Sequence, residues 1–274
     1  MTNSPQWATA TGDVWAERWR ELDRGLAGVA EHLDPAIIAI APPARFRALD
    51  IGCGAGSSSL ALARERSDAT IIACDLSPSL IRIAEERLAG TAATLKLGDA
   101  QDIAARDGAF DLFYSRHGVM FFADPPAAFR TFRHASSPGA ALIFSCFEDW
   151  AANLWASELA AAAAGRPVSP PGREPGGFAF ANSDHVRAIL ESAGWNDAAR
   201  ISFAFRYVAG SGAAAVDDAL SMLCAVGPAS LILRDLGEHD RDLALQRMRT
   251  VIDRHFDGAE VAFPAAACLW SARV

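Results

Sequence analysis

The stretch that decides the fold is Leu49-Asp50-Ile51-Gly52-Cys53-Gly54-Ala55-Gly56-Ser57. A short apolar run leads into a turn that is rich in glycine, and a segment with helical character follows the turn. Glycines let the backbone at such a turn approach a ligand closely, and free N–H groups at the start of the helix can bind that ligand. The stretch therefore predicts a strand, a ligand-binding turn and a helix.

The same alternation continues through the first half of the chain. Short apolar runs at 48–51, 70–74, 93–97, 110–114 and 140–144 are each followed by a polar or glycine residue, and helix-like segments lie between them. Strands and helices at this spacing indicate βαβ units and a parallel sheet that is covered on both faces. Ligands of such sheets bind beyond the carboxyl ends of the strands.

Helices are also predicted before the first strand. Apolar residues recur there at alternating spacings of four and three, at Trp15, Trp19, Leu22, Leu26, Val29 and Leu33. This pattern is typical of one apolar helix face, and it predicts one or two helices that end near Pro35.

The alternation of short strands and helices stops after the fifth apolar run. Residues 150–164 are rich in alanine and predict a helix, whereas 165–177 carry four prolines and four glycines and predict irregular structure. Further helices are predicted at 183–192, 213–226 and 241–255, and strands at 201–208 and 260–272. The segment that follows the fifth strand is therefore interpreted as an insertion.

Composition restricts the class of partner. The 274 residues include 33 Asp and Glu against 25 Lys and Arg, a formal net charge of −8, which disfavours a nucleic-acid partner. The five cysteines show no metal-ligand spacing, so we expect reduced thiols and no metal. No stretch reaches the roughly 18 apolar residues of a spanning helix, and we expect a cytoplasmic protein with no membrane partner.

The glycine-rich turn is open to two interpretations. A dinucleotide-binding fingerprint, G-x-G-x-x-G, would place its third glycine at position 57, which is Ser57. Asp50 would also face the pyrophosphate of a dinucleotide and repel it. A carboxylate at that position suits a ligand that carries a positive charge and no phosphate.

Later motifs follow in a characteristic order. Asp75 ends the second run, 75 − 52 = 23 residues after Gly52, and 98–100 (Gly-Asp-Ala) end the third. Residues 115–117 (Ser-Arg-His) follow the fourth run, and 137–139 (Ser-Pro-Gly) lead into the fifth. Together with the opening stretch, this set resembles the class I S-adenosylmethionine-dependent methyltransferases, in particular small-molecule enzymes with a ubiquinone/menaquinone-methyltransferase-like core.

The resemblance implies an α/β fold. The expected architecture is a Rossmann-like, doubly wound sheet of seven mostly parallel strands with the last strand antiparallel, plus a helical N-terminal cap and an insertion after the fifth strand. We expect a single domain, 1–274. Its parts are a cap at 1–45, a cofactor-binding core at 46–148, a lid-like insertion at 149–182, and C-terminal helices with a closing β-hairpin at 183–274.

The resemblance also implies S-adenosyl-L-methionine as cofactor and S-adenosyl-L-homocysteine as its product. Asp50 would lie near the ammonium group of the methionine part, Asp75 would accept hydrogen bonds from the ribose, and Asp99 would fix the adenine edge. The residues implied to bind the cofactor are Asp50, Gly52, Cys53, Gly54, Gly56, Asp75, Leu76, Asp99, Ala100, Ser115 and Arg116.

The methyl acceptor is expected to be a small molecule. His117 follows the fourth strand on the cofactor side, where an imidazole either removes a proton from the acceptor or only packs against it. Aromatic side chains of the N-terminal region and the insertion are predicted to form the substrate pocket with His117, namely Trp7, Trp15, Trp19, Phe178 and Phe180.

Three functions remain open at this point. The first is methyl transfer to oxygen, nitrogen or carbon of a small aromatic or apolar molecule. The second is a lyase or pericyclic reaction on the same fold with the same cofactor, and the third is binding without catalysis. The sequence leaves a monomer and a homodimer equally open.

Overall fold

The computed structural model describes residues 4–274, which form one seven-stranded sheet with helices on both faces. The strands are β1 (Arg47–Ile51), β2 (Thr70–Asp75), β3 (Thr94–Leu97), β4 (Phe110–Arg116), β5 (Ser136–Phe147), β6 (Asn196–Ser211) and β7 (Glu260–Arg273). The helices that precede β5 are α1 (Ser4–Trp7), α2 (Ala10–Glu17), α3 (Trp19–Gly25), α4 (Ala27–Ile40), α5 (Ser57–Glu65), α6 (Pro78–Arg87), α7 (Ala100–Asp107) and α8 (Pro125–His134). Those that follow it are α9 (Leu154–Ala164), α10 (Ser183–Ser192), α11 (Ala215–Ala225), α12 (Pro228–Arg234) and α13 (Glu238–Arg254).

The strand order is β3-β2-β1-β4-β5-β7-β6. Strands β1 to β5 pair in parallel, whereas β7 is antiparallel to both β5 and β6. The predicted Rossmann-like sheet with its last strand antiparallel is thereby confirmed. Because the chain order reverses between β1 and β4, their carboxyl ends leave a crevice that can hold a ligand.

The central strands are nearly continuous apolar runs because they are buried on both faces of the sheet. In β1 every residue from Ala48 to Ile51 is buried, because helices cover both faces of the sheet.

Two of the following helices begin with side-chain caps at the same edge of the sheet. The Ser77 hydroxyl accepts from the backbone N–H of Leu80, and Asp99 caps α7.

The helix predictions differ from the structure in two regions. The segment before β1 forms four helices, α1 to α4, and not one or two. The helix α4 does not end near Pro35 but continues through it to Ile40. Proline removes one backbone hydrogen bond, and the complete burial of Leu33 and Ile37 on either side of it holds the helix together. The helix α12 was not predicted, and in the structure it packs against α9.

The chain between β5 and α10 packs against the C-terminal helices. The helix α9 contacts α12 and α13, and the irregular stretch after it carries Phe178 into the core beside Phe147 and Trp150. Across residues 4–274, no single helix is long and apolar enough to cross a membrane. The helices α11 and α12 meet that criterion only together, and they are bent by 70° relative to each other.

Candidate functional site

A cavity of about 300 Å³ opens at the carboxyl ends of β1, β2 and β4, a size typical of small-molecule sites. One end of it is polar and is lined by Asp50, Gly52, Cys53, Gly54, Asp75, Leu76, Asp99, Ala100 and Arg116. The other end is largely apolar and is lined by Trp7, Trp15, Trp19, Leu22, Leu26, His117, Phe121 and Phe122. The two ends form a single cavity, so a ligand in one lies next to a ligand in the other.

Asp50 is the buried carboxyl group of the polar end. It is only 2% exposed, and its Oδ2 accepts a hydrogen bond of 2.6 Å from the hydroxyl of Ser59. Burial raises the pKa of Asp50 to about 7, although the Ser59 hydrogen bond acts in the opposite direction. A positively charged group nearby would favour the ionised form, so Asp50 is suited to a cationic ligand.

Asp75 connects the end of β2 to the glycine-rich turn. Its two carboxylate oxygens accept from the backbone N–H groups of Gly54 and Ser77, both at 2.9 Å. Burial raises the pKa of Asp75, and these two backbone hydrogen bonds counteract part of the increase. The carboxylate is therefore fixed in orientation at the wall of the cavity, and each oxygen retains a second lone pair for a ligand.

Asp99 lies at the end of the cavity beyond β3. Its Oδ1 accepts from the backbone N–H of Gln101 at 2.8 Å and so caps α7. Leu76 and Ala100 line the wall beside it. An apolar surface next to a carboxylate oxygen and backbone N–H groups can accommodate a flat heterocycle with polar edges.

Arg116 is paired with a residue of the N-terminal helices. Its Nη2 lies 2.6 Å from Oδ1 of Asp23, and Oδ2 of Asp23 accepts from Ser57 at 2.6 Å and from Arg87 at 2.9 Å. Burial opposes the ionisation of Asp23, but Arg116, Ser57 and Arg87 outweigh it and lower the pKa of Asp23. Asp23 thus joins the N-terminal helices to the end of β4 and to the helices α5 and α6.

Three aromatic rings form a cluster at the apolar end. The ring of Trp7 lies 5.0 Å from that of Trp15 and 4.9 Å from that of Phe121, both in edge-to-face geometry. Nε1 of Trp7 is buried and has no hydrogen-bond partner among the residues that the structure describes.

His117 lies at the apolar end of the cavity. Its backbone is left-handed, with φ of 61°, and its Nδ1 lies 2.7 Å from Oγ of Ser145. The ring packs edge-to-face against Phe147 with 4.2 Å between the centroids, and Nε2 is buried without a partner within 4–274. Burial, together with the charge of Arg116, lowers the pKa of His117 to about 3, so the imidazole is neutral at physiological pH.

Comparison with known proteins assigns this site to a family. Residues 49–144 match the family described as a methyltransferase domain, and they include the glycine-rich turn and the strand ends that line the polar end. This part of the chain is similar to the methyltransferase domains of class I S-adenosylmethionine-dependent enzymes.

Curated proteins are similar to this chain over part of their length. It is 33% identical over 143 residues to the biotin biosynthesis bifunctional protein BioCD of Bordetella avium, covering 50% of this chain and 30% of that protein. It is 32% identical over 154 residues to a malonyl-[acyl-carrier protein] O-methyltransferase of Geobacter sulfurreducens, covering 56% of each. The match spans only 20% to 35% of the length of the first five curated relatives.

The fold of this chain is also found in solved structures. The YcgJ protein of Bacillus subtilis superposes with a TM-score of 0.58 at 16% sequence identity, covering 89% of this chain and 98% of that one. At this identity the similarity concerns the fold alone.

S-adenosylmethionine, the cofactor of the family, fits the polar end on two observations. A Cβ added at Gly54 would meet no protein atom within 4 Å, so the backbone of the turn borders open space in the cavity. The carboxylates of Asp50, Asp75 and Asp99 line that same end, which suits a ligand with two positive charges and several hydroxyl and amino donors.

Four predicted site residues lie outside the cavity wall within residues 4–274. Gly56 caps α5 with φ of 80° and packs against Leu88 and Ala84. The hydroxyl of Ser115 is fully buried, where it donates to the carbonyl of Ile51 and accepts from Gly118. These two residues shape the turns on either side of the site.

The prediction that the insertion supplies substrate-pocket aromatics is wrong for Phe178 and Phe180. Both rings are buried in the core, 5% and 1% exposed. Phe178 packs against Phe147, Trp150 and Trp155, and Phe180 packs between Phe144 of β5 and Phe129 of α8. Within the described part of the chain, the cavity is covered instead by α1 to α3 and by the segment after His117.

Several functional residues were missed from the sequence. Asp23 lies between two apolar positions of a helical stripe, and nothing in its spacing marks it as a partner of Arg116. Phe121 and Phe122 had a visible signal, since they end an apolar run of five residues directly after His117. That run was not considered as part of the pocket.

Proposed function

We propose that the protein transfers a methyl group from S-adenosylmethionine to a small apolar or aromatic molecule. The observation that carries the proposal is the single cavity whose carboxylate-lined end adjoins an aromatic end. In the reaction the bond between the methyl carbon and sulfur breaks and a bond to oxygen, nitrogen or carbon of the acceptor forms. The products are S-adenosylhomocysteine, the methylated acceptor and a proton where the nucleophile carried one.

The polar end would hold the cofactor. Asp75 would accept from the ribose hydroxyls, Asp99 and Ala100 would bind the adenine edge beside Leu76, and Asp50 would lie near the ammonium group. Gly52 and Gly54 keep the backbone of the turn left-handed, with φ of 66° and 54°, so that no side chain fills the space of the methionine part.

The charges on the cavity wall favour an acceptor that is itself uncharged. Arg116 is the one basic side chain, apart from the neutral His117, among the described residues that line the cavity, and it is already paired with Asp23. An acceptor with a phosphate group would therefore find no free cation. Trp7, Trp15, Phe121 and Leu22 offer apolar area to a planar molecule.

The chain's own contribution to catalysis is mainly positional. The sulfonium already activates the methyl group, so the protein has to align the acceptor and exclude water. The helices α1 to α3 close over the cavity and would perform both tasks.

A release assay tests the proposal. We expect S-adenosylhomocysteine to form with members of a panel of phenols, quinols and cyclic ketones, and not with phosphoethanolamine. Trp15→Leu should raise KM for such acceptors about ten-fold while affinity for S-adenosylhomocysteine stays within two-fold, since a ring lost from a pocket removes about 1–2 kcal/mol. Phe256→Leu, at an exposed site outside the cavity wall, is the matched control. Turnover restricted to charged acceptors would refute the proposal that the pocket binds neutral acceptors.

The other interpretations have distinct outcomes in the same assay. Tight binding of S-adenosylhomocysteine with a chemically converted but unmethylated acceptor would favour a lyase or pericyclic reaction. The absence of nucleic-acid and membrane partners, a cytoplasmic location, the boundaries of the four parts of the chain and the oligomeric state remain predictions from the sequence.

A further inference from the structure

The hydroxyl of Ser145 determines which nitrogen of His117 carries the proton. Ser145 is fully buried, and Nδ1 of His117, at 2.7 Å, is the hydrogen-bond partner of its hydroxyl within 4–274. Buried hydroxyl protons are nearly always donated to an acceptor, and a neutral imidazole accepts at one nitrogen and donates at the other. The Ser145 hydroxyl therefore donates to Nδ1, and the imidazole proton is on Nε2.

The Nε2–H group then has no acceptor among the residues that the structure describes. Nε2 is buried and unpartnered among the described residues, and His117 belongs to the cavity wall. A buried donor without an acceptor destabilises the folded state relative to a paired one. Nε1 of Trp7 is a second unpartnered buried donor on the same cavity, so the apolar end has two N–H groups that lack an acceptor.

We propose that Nε2–H of His117 donates a hydrogen bond to an oxygen atom of the methyl acceptor. The acceptor is accordingly an uncharged, largely apolar molecule that carries a carbonyl or hydroxyl oxygen. This inference rests on the proposed methyl transfer and narrows its substrate class, and it makes His117 a donor to the substrate and not a base.

The local backbone holds the ring in place for this contact. His117 adopts a left-handed conformation that costs a residue with a side chain about 1–2 kcal/mol. The next residue, Gly118, is packed so closely that an added Cβ would lie 2.7 Å from the carbonyl oxygen of Ile51 and 2.8 Å from Oγ of Ser115. Strain of this kind is retained at functional sites, where it fixes a side chain that the chemistry requires.

The role of a general base fits the geometry poorly. To remove a proton at Nε2, the imidazole would first have to move its own proton to Nδ1, and the buried hydroxyl of Ser145 would lose its acceptor. Burial and the neighbouring Arg116 also hold the pKa of His117 at about 3, far below the range of an efficient base at neutral pH.

The protonation state can be measured without any acceptor. Two-bond ¹H–¹⁵N correlation on the full chain labelled with ¹⁵N-histidine distinguishes the two neutral tautomers, and His117→Asn identifies the signal among the six histidines. We expect Nε2 to be the protonated nitrogen and Nδ1 the bare one. In Ser145→Ala, where Nδ1 has lost its donor, the share of the other tautomer should rise at least five-fold.

The binding contact is tested with a matched pair of probes and a matched pair of variants. The probes are 2-acetylnaphthalene and 2-isopropenylnaphthalene, which have nearly the same planar shape and differ in that a CH₂ group replaces the carbonyl oxygen. Both are titrated into the protein saturated with S-adenosylhomocysteine. An asparagine amide reaches the place of Nδ1 only, whereas a glutamine amide reaches the place of Nε2. We expect the wild type to prefer the acetyl probe at least five-fold, His117→Asn to lose that preference, and His117→Gln to keep part of it.

His134→Gln, at an exposed site on α8, is the control and should behave as the wild type. Protonation on Nδ1 in the wild type, or equal affinity for the two probes, would overturn the inference. Failure of the wild type to bind S-adenosylhomocysteine would instead count against the proposed function, so the two failures are distinguishable.

Discussion

Oδ1 of Asp23 lies 2.6 Å from Nη2 of Arg116, and this ion pair joins the helical cap to the end of β4. Both side chains are mostly buried, at 21% and 15% exposure, and Arg87 on α6 contacts the same carboxylate. The cap therefore closes the cavity by a charged contact in addition to apolar packing. Arg116 carries the one guanidinium that lines the cavity within residues 4–274, and this group is already paired with Asp23.

Asp23→Asn is expected to loosen the cap. Because the pair is partly exposed to solvent, its loss should cost about 1 kcal/mol and lower Tm by about 3 °C. Limited proteolysis within the first 26 residues should become faster in the absence of ligand. Asp68→Asn breaks an ion pair with Arg66 that lies away from the cavity, and it is expected to leave both readouts unchanged. An unchanged cleavage pattern in Asp23→Asn would refute the role of Asp23 in closing the cap.

The buried carboxyl group of Asp50 predicts a pH dependence of stability. Its pKa in the folded protein, about 7, lies above the ordinary value of 3.8, so the folded state binds the proton more tightly than the unfolded state. The contribution of Asp50 to the free energy of unfolding is fully present below pH 3.8. It is lost as the pH rises to about 7. Thermal melting at pH 5 and pH 8 should show a smaller loss of stability in Asp50→Asn than in the wild type.

An equal loss of stability between pH 5 and pH 8 in the wild type and in Asp50→Asn would contradict the raised pKa of Asp50. The same variant should bind S-adenosylhomocysteine about ten-fold more weakly at pH 8, because an amide cannot offset the charge of the ligand's ammonium group.

Gly54→Ala separates backbone strain from blockage of the cavity. Gly54 and Gly90 both have positive φ, 54° and 82°, and a Cβ at either position would meet no protein atom within 4 Å. Alanine should therefore cost about 1 kcal/mol of stability at each position. Only Gly54 lines the cavity, so calorimetry should show a large loss of affinity for S-adenosylhomocysteine in Gly54→Ala and wild-type affinity in Gly90→Ala. Equal affinities would exclude Gly54 from the binding surface.

Phe178→Ala tests the correction to the predicted substrate pocket. The ring is packed against Phe147, Trp150 and Trp155, so its removal should lower the free energy of unfolding by about 3–4 kcal/mol. Below its own melting temperature the variant should turn over an acceptor with wild-type KM. A raised KM with unchanged stability would restore the predicted role in substrate binding.

The sequence predicted the features that depend on short-range pattern. The strand β1, the glycine turn and the acidic residues that follow β2 and β3 are adjacent to the runs that define them, and parallel strands bring such ends to one edge. Asp50, Gly54, Asp75 and Asp99 accordingly line one cavity.

The missed features depend on packing between distant segments. The contact of Asp23 with Arg116 spans 93 positions, and the contact of His117 with Ser145 joins two strand ends that no motif connects. Phe178 follows glycines in a proline-rich stretch, which suggested a lid over the substrate pocket, but its ring is buried beside β5. Such outcomes follow from shape complementarity, which periodicity does not encode.

Calorimetric titration of the full chain with S-adenosylhomocysteine tests the central claim most directly. The account predicts binding of one ligand per chain with Kd of about 1–50 µM, or about −6 to −8 kcal/mol, and a loss of at least ten-fold in Asp75→Ala. A folded protein that shows no binding at millimolar ligand, or that binds equally well in Asp75→Ala, would contradict it.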